Sequence, residues 1–273
     1  MSSYRLEQLT VRHLAHDAQR PPALQELSLV VEQGEQLAII GPSGAGKTTL
    51  LATLALAQRP ASGHFQAFDQ DPWALPEAAR HRLRAQLFLA PQTPPLPPRQ
   101  RVVTAVLAAR LPQWTVWQAL RSLFKPLDPQ AAFDALSRFH LGDKLYARVD
   151  RLSGGERQRC GMARLLLSNA RIFLVDEPLS ALDPTLARQT LATLQQEAAL
   201  RQATLVCSLH QVDMALAHFG RIVGLRDGRI VFDAPREQVS EAMVKALYHN
   251  EASASEHAPA HATPASLAVG ACF

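Results

Sequence analysis

The chain has 273 residues, 47% of them hydrophobic, enough for one sizeable core with room for a small subdomain. A net charge of +4 and a pI near 9.2 are mildly basic. They suit a nucleotide ligand or an anionic membrane surface and fall short of the dense Lys/Arg runs of a dedicated nucleic-acid binder.

From the N-terminus, "MSSYRLEQLTVRH" carries no apolar leader, and no run approaches the roughly 20 apolar residues of a membrane span. The cysteines Cys160, Cys207 and Cys272 are scattered and odd in number, as in a reducing compartment without disulfides. The chain is therefore expected to be cytosolic by itself, with any membrane link made through a partner. "LSLVV" and "QLAII" are short β-branched runs that read as buried strands, and "KTTLLATLALA" reads as a helix. From about Trp73 to Asp150 helical patterns dominate, which predicts a helical subdomain inserted into the core. Within it "APQTPPLPPRQR" is too rich in proline for helix or sheet and is expected to be an extended connector. Trp114 and Trp117 sit at helical spacing and are assigned to core or partner-interface packing. Further on, "IFLVDE", "TLVCSL" and "RIVGLRDGRIVF" read as strands and "LARQTLATLQQEAALR" as a helix. This alternation predicts an α/β core with a largely parallel sheet. Residues 1–250 form this unit, and residues 251–273, rich in Ala, Ser, Pro and His, are expected to be a disordered tail.

The strongest motif is "LAIIGPSGAGKTTLL". A strand runs into Gly41-Pro42-Ser43-Gly44-Ala45-Gly46-Lys47-Thr48, with Thr49 following in a helix. This is the strand–loop–helix context in which G-x-x-x-x-G-K-[ST] cradles phosphates. The glycines let backbone N–H groups turn inward, and the helix start directs its dipole to the same point. Lys47 adds a full charge, and the Thr48 hydroxyl suits Mg²⁺. In "RIFLVDEP" a strand ends in Asp176, placed for the metal, and Glu177, placed to polarise an attacking water. "RLSGGERQR" raises a question, because it is a second anion-binding helix start in one chain. Locally it reads as a capping box, Ser153 with Glu156. Likewise Asp183 before Pro184 reads as a helix N-cap.

Taken together and in order, "GPSGAGKT", "LSGGERQR", "LVDEP", "SALD" and His210 in "SLHQ" resemble the nucleotide-binding subunit of ATP-binding-cassette (ABC) transporters, over roughly Leu6 to Tyr248. The resemblance implies an α/β fold: a P-loop NTPase core with a mostly parallel sheet, an N-terminal antiparallel β part and an inserted α-helical subdomain. It implies ATP hydrolysis with Mg²⁺, the metal falling to Thr48, Asp176 and Gln92, the last a glutamine in the loop joining the helical part to the core. It gives His210 a contact to the γ-phosphate, and His13 the slot of an adenine-stacking aromatic. It also answers the question of the second helix start. In a head-to-tail homodimer, Ser153, Gly154 and Gly155 of one copy close over the ATP held by the other, and Asp183 crosses the same interface. Transmembrane permease subunits and, through them, a periplasmic or extracellular solute-binding protein are the implied partners, without nucleic acid, at the cytoplasmic face of the inner membrane. "LAARLPQWTVWQALRSLFKPLDPQAAFDAL" and "SLHQVDMALAHFGRIVGLRDGRIVFDAP" are similar to the phosphonate-importer branch. Import of another small polar solute, lipid or lipoprotein export, and a soluble non-transport ABC ATPase remain alternatives.

Overall fold

A computed structural model describes residues 2–12 and 21–255. The chain opens with β1 (Ser2–Val11), β2 (Leu24–Glu32) and β3 (Gln36–Ile40), followed by α1 (Lys47–Leu54) and β4 (Ser62–Ala67). β1 is the centre of a three-stranded antiparallel sheet in the order β2-β1-β4. Next come α2 (Glu77–Arg84) and β5 (Leu87–Ala90), then the helices α3 (Val102–Leu107), α4 (Val116–Phe124), α5 (Pro129–Ser137) and α6 (Gly154–Leu167). The chain then returns through β6 (Ile172–Asp176), α7 (Pro184–Arg201), β7 (Thr204–Leu209), α8 (Val212–His218), β8 (Arg221–Arg226), β9 (Arg229–Pro235) and α9 (Glu241–Ser255). The second sheet has the order β5-β6-β7-β3-β8-β9. Its pairings are parallel except for the β8–β9 hairpin.

The unbroken apolar runs of β3, β6 and β7 have a direct cause. Successive side chains point to opposite faces, and both faces of a parallel sheet are covered. Leu37, Ile39, Ile172, Leu174 and Val206 pack with the antiparallel sheet and α1. Their neighbours Ala38, Ile40, Phe173, Val175, Leu205 and Cys207 pack with the helices of the other face. The strands are thus apolar at every position because they have two cores to fill. Truncating one of these large side chains to alanine costs about 2–5 kcal/mol.

Two boundaries differ from the sequence reading. β5 pairs in parallel with β6, Leu87 opposite Ile172 through Ala90 opposite Val175. It therefore belongs to the core sheet although it lies inside the 73–150 stretch assigned to a helical insertion. Four residues are too short to show a period, so a strand of this length is set by its partner. At the other end α9 continues to Ser255, past the point where the tail was expected to begin, and residues 256–273 lie outside the described residues.

The proline-rich connector, residues 91–101, forms neither helix nor strand. It is pinned by backbone bonds, Val149 N–H to the Gln100 carbonyl (3.0 Å) and Asp150 N–H to that of Pro98 (2.9 Å). Its Pro94 ring packs against Gly161 in α6, where a Cβ would come within 2.7 Å of Pro94 Cγ. The two tryptophans of the insertion part company. Trp114 packs half-buried on the core, whereas Trp117 on α4 is 81% exposed. Among the described residues, no helix is long and apolar enough to cross a membrane.

Candidate active site

Parallel register brings the chemistry together. β3, β7 and β6 are neighbours, with Ile40 opposite Leu209 and Asp176 opposite Ser208. Their carboxyl ends therefore deliver the Gly41–Gly46 loop, His210, and the pair Asp176 and Glu177 to one edge of the sheet. β5, next to β6, delivers Gln92 to the same edge. Ligands of open parallel sheets bind in this crevice, beyond the carboxyl ends of the strands. A cavity of 470 Å³ opens there, lined by Ser43 through Thr49, Gln92, Glu177 and His210.

Glycine is required in the loop for clearance as well as for conformation. A Cβ on Gly41 would fall 2.0 Å from the Leu225 carbonyl oxygen, and one on Gly46 2.8 Å from that of Ala23. Gly46 also has φ of +104° and hands the chain to α1. Lys47 is buried, and its Nζ donates to the carbonyls of Gly41 (2.8 Å) and Pro42 (3.0 Å), which curls the loop around the ammonium. Next to it, Thr48 Oγ1 donates to Asp176 Oδ2 (2.8 Å), and Ser208 Oγ donates to Asp176 Oδ1 (2.6 Å). Asp176 is 2% exposed, and these two hydroxyls satisfy both its oxygens.

Glu177 is held on every side. Gln92 Nε2 donates to its Oε2 (2.7 Å), and His210 Nε2 lies 2.5 Å from its Oε1. Its backbone is left-handed, with φ of +49°. A non-glycine residue in that region costs on the order of 1–3 kcal/mol and persists only where its surroundings over-determine it. Here they do, since the Glu177 N–H donates to Ser208 Oγ (3.0 Å) and the Glu177 carbonyl accepts from Gln158 Nε2 (2.6 Å).

The remaining expected residues fall elsewhere. Ser153 caps α6, accepting from the Glu156 N–H (3.2 Å) while Glu156 Oε2 accepts from the Ser153 N–H (2.7 Å). Asp183 caps α7, accepting from the N–H groups of Thr185 and Leu186 at 3.0 Å each. Both local capping readings therefore hold, and neither Ser153, Gly154, Gly155 nor Asp183 lines the cavity of its own chain. His13 lies outside the described residues.

Several lining residues carried no motif. Pro22 and Ala23 precede β2, Gln25 is its second residue, and Asp227-Gly228 form the β8–β9 turn. The turn is tied to the loop by the Gly228 N–H to the Ala45 carbonyl (3.0 Å) and to β2 by the Gln25 N–H to the Gly228 carbonyl (2.8 Å). An Asp-Gly pair is a hairpin-turn signal that the sequence reading did not use, and only tertiary structure brings it to the loop. Ser208 was a lone hydroxyl in an apolar run, a signal that pointed to a partner without naming it.

A buried lysine in a glycine-rich loop, with a Thr–Asp pair and a glutamate beyond it, is the site of a P-loop nucleoside triphosphatase, set on the sheet that such proteins share. Comparison with known proteins narrows the class. The family model described as ABC transporter matches residues 24–180, and this chain belongs to that family of ATP-binding, ATP-hydrolysing proteins. The chain is 59% identical over 243 residues to a phosphonates import ATP-binding protein of Albidiferax ferrireducens, covering 89% of this chain and 88% of that one. It is 54% identical over 256 residues to one of Pseudomonas aeruginosa, covering 94% and 95%. Among solved structures, a dimeric bacterial ABC transporter cassette shares the fold with a TM-score of 0.74 at 24% identity, covering 85% of this chain and 98% of that one.

Proposed function

We infer that this chain is the ATP-hydrolysing subunit of an importer of phosphonates or related phosphorus oxyanions, peripheral to the cytoplasmic face of the inner membrane. The observation that carries the enzymatic part is the convergence of Lys47, the Thr48–Asp176 pair and the Gln92–Glu177–His210 cluster on one cavity. The cargo rests on relatives more than half identical over most of their length, which are named for phosphonate import.

In this reading the backbone N–H groups of Ser43 to Thr49, which include the start of α1, receive the phosphates, and Lys47 turns its charge from the loop carbonyls to their oxygens. Thr48, Asp176 and Gln92 form a set of hard oxygen donors that fits Mg²⁺, which takes one or two carboxylates beside phosphate oxygens and water. Held by these residues, Mg²⁺ would supply positive charge against the phosphate oxygens. Glu177 takes the proton of the attacking water and His210 orients it. Gln92 and His210 each hold one carboxylate oxygen of Glu177, and each oxygen keeps a second lone pair, so the carboxylate can accept the proton while these two contacts fix its position.

The position of Ser153, Gly154 and Gly155 supports a homodimer. They sit at the exposed start of a 14-residue helix, where unpaired N–H groups attract anions, yet they are not in the chain's own cavity. The nucleotide they suit is the one held by a second copy, with Asp183 beside them at the same interface.

A transmembrane partner, and a solute-binding protein acting through it, complete the importer. Residues 78–127 contain eight Lys/Arg and no Asp or Glu. Within that stretch Val116, Trp117, Leu120 and Phe124 form an exposed apolar face of α4, close to a 100° arc of the helix. Phe124 also borders a groove with Arg101 and Tyr146. An apolar segment with acidic flanks on the permease matches this surface in both charge and polarity. Replacing Trp117 and Phe124 together by serine is expected to abolish co-purification with the permease while ATPase activity of the isolated chain stays within about twofold, since neither touches the cavity. Retained co-purification removes this surface from the proposal.

The test of function is reconstitution with the permease and its binding protein in liposomes. ATP turnover should rise several-fold with a phosphonate-loaded binding protein and stay at the basal rate with an amino acid. Basal turnover with phosphonate, phosphite and phosphate alike would reject the cargo assignment and leave the ATPase assignment standing.

A further inference from the structure

We propose that Gln158 is a positioning residue that holds Glu177 in its working conformation and makes it one rigid unit with the start of α6. The inference rests on the reading of Glu177 as the base. Gln158 is 3% exposed and lies one turn into α6, just past Ser153, Gly154 and Gly155. Its Nε2 donates to the Glu177 carbonyl at 2.6 Å and reaches Ser180 Oγ at 3.3 Å, while its Oε1 is buried with no hydrogen-bond partner. A glutamine kept in a dry place with half its amide unsatisfied is costly, so the bond it does make is the reason for its presence.

That bond is at a strained point. Glu177 has φ of +49°, and its N–H is fixed from the other side by Ser208. Without the Gln158 amide, the Glu177 carbonyl keeps only a long contact from Ser180 Oγ, at 3.4 Å. The peptide can then turn out of the left-handed region and take the carboxylate away from Gln92 and His210.

The same helix turn is locked to the segment that follows Glu177. A Cβ on Gly155 would lie 2.7 Å from the Ala181 carbonyl oxygen, so the backbones of α6 and of residues 177–183 are in direct contact. The turn that meets the second copy's nucleotide and the glutamate that serves the chain's own nucleotide therefore move together. Engagement of one ATP is felt at the base of the other.

Two variants test this. Gln158→Met keeps the length and removes the donor; Gln158→Asn keeps a buried amide too short to reach the carbonyl. Both are expected to lower kcat about 10–100-fold, less than the loss of the base itself, with KM and ATP affinity within about twofold of wild type. That split marks an interaction needed in turnover and not in binding. A merely structural residue would lower melting temperature and affinity together. If Gln158→Met does not fold, Gln158→Asn carries the test alone. Wild-type kcat in either soluble variant, while Glu177→Gln is inactive, overturns this inference only. Normal turnover by Glu177→Gln overturns the reading of the base beneath it.

Discussion

Glu177→Gln is expected to bind ATP with wild-type affinity and to turn it over slower by about 10²–10⁴-fold, the usual worth of a general base. The substitution is close to isosteric, and the new side chain still offers one oxygen to Gln92 or His210, which now lie 2.7 Å and 2.5 Å from the carboxylate. What is lost is a proton acceptor. Because the γ-phosphate is then neither cleaved nor released, the ATP-bound dimer should accumulate. Light scattering on a sizing column should find it with ATP and not with ADP. Wild-type hydrolysis by this variant would falsify the assignment of Glu177 and require another base in the cavity.

Lys47→Ala is expected to weaken ATP binding about 10–100-fold, the equivalent of one lost charge-assisted contact of roughly 1.5–3 kcal/mol. Turnover should fall at least as far, because in the proposed mechanism the same charge meets the phosphate that leaves. The effect has a second source. Lys47 Nζ holds the Gly41 and Pro42 carbonyls at 2.8 Å and 3.0 Å, so its removal also loosens the loop that presents the N–H groups. Titration with a fluorescent ATP analogue measures the first effect, and phosphate release at saturating ATP the second. Tight, productive binding by the alanine variant would count against the phosphate-loop reading.

Chemistry that needs contiguous residues was legible in the sequence. The Gly41–Thr48 loop must be a single segment because one backbone turn has to wrap the phosphates, and Asp176 with Glu177 must end a strand that reaches the same edge of the sheet. The fold class followed from the same elements, since apolar runs alternating with helical patterns admit few arrangements other than a covered parallel sheet. Parts that act through pairing between distant segments were not legible. Ser208 matters because register sets it opposite Asp176. Gln158 matters because α6 packs on the segment after β6. β5 exists only because β6 offers an edge, and its four residues carry no period of their own. Exposure divided the tryptophans in the same way. Trp114 and Trp117 have equal claims on a core by spacing, and only the packing of α4 turns the second outward.

The connector between Gln92 and α3 holds prolines at 94, 95, 97 and 98. Proline fixes its own φ and removes the slack by which an ordinary loop absorbs a displacement. With Gln92 at the cavity and Pro94 braced on α6, this segment acts as a strut that resists compression. A shift of the glutamine by an ångström at the phosphate end has to appear as a shift of the helices at the far end.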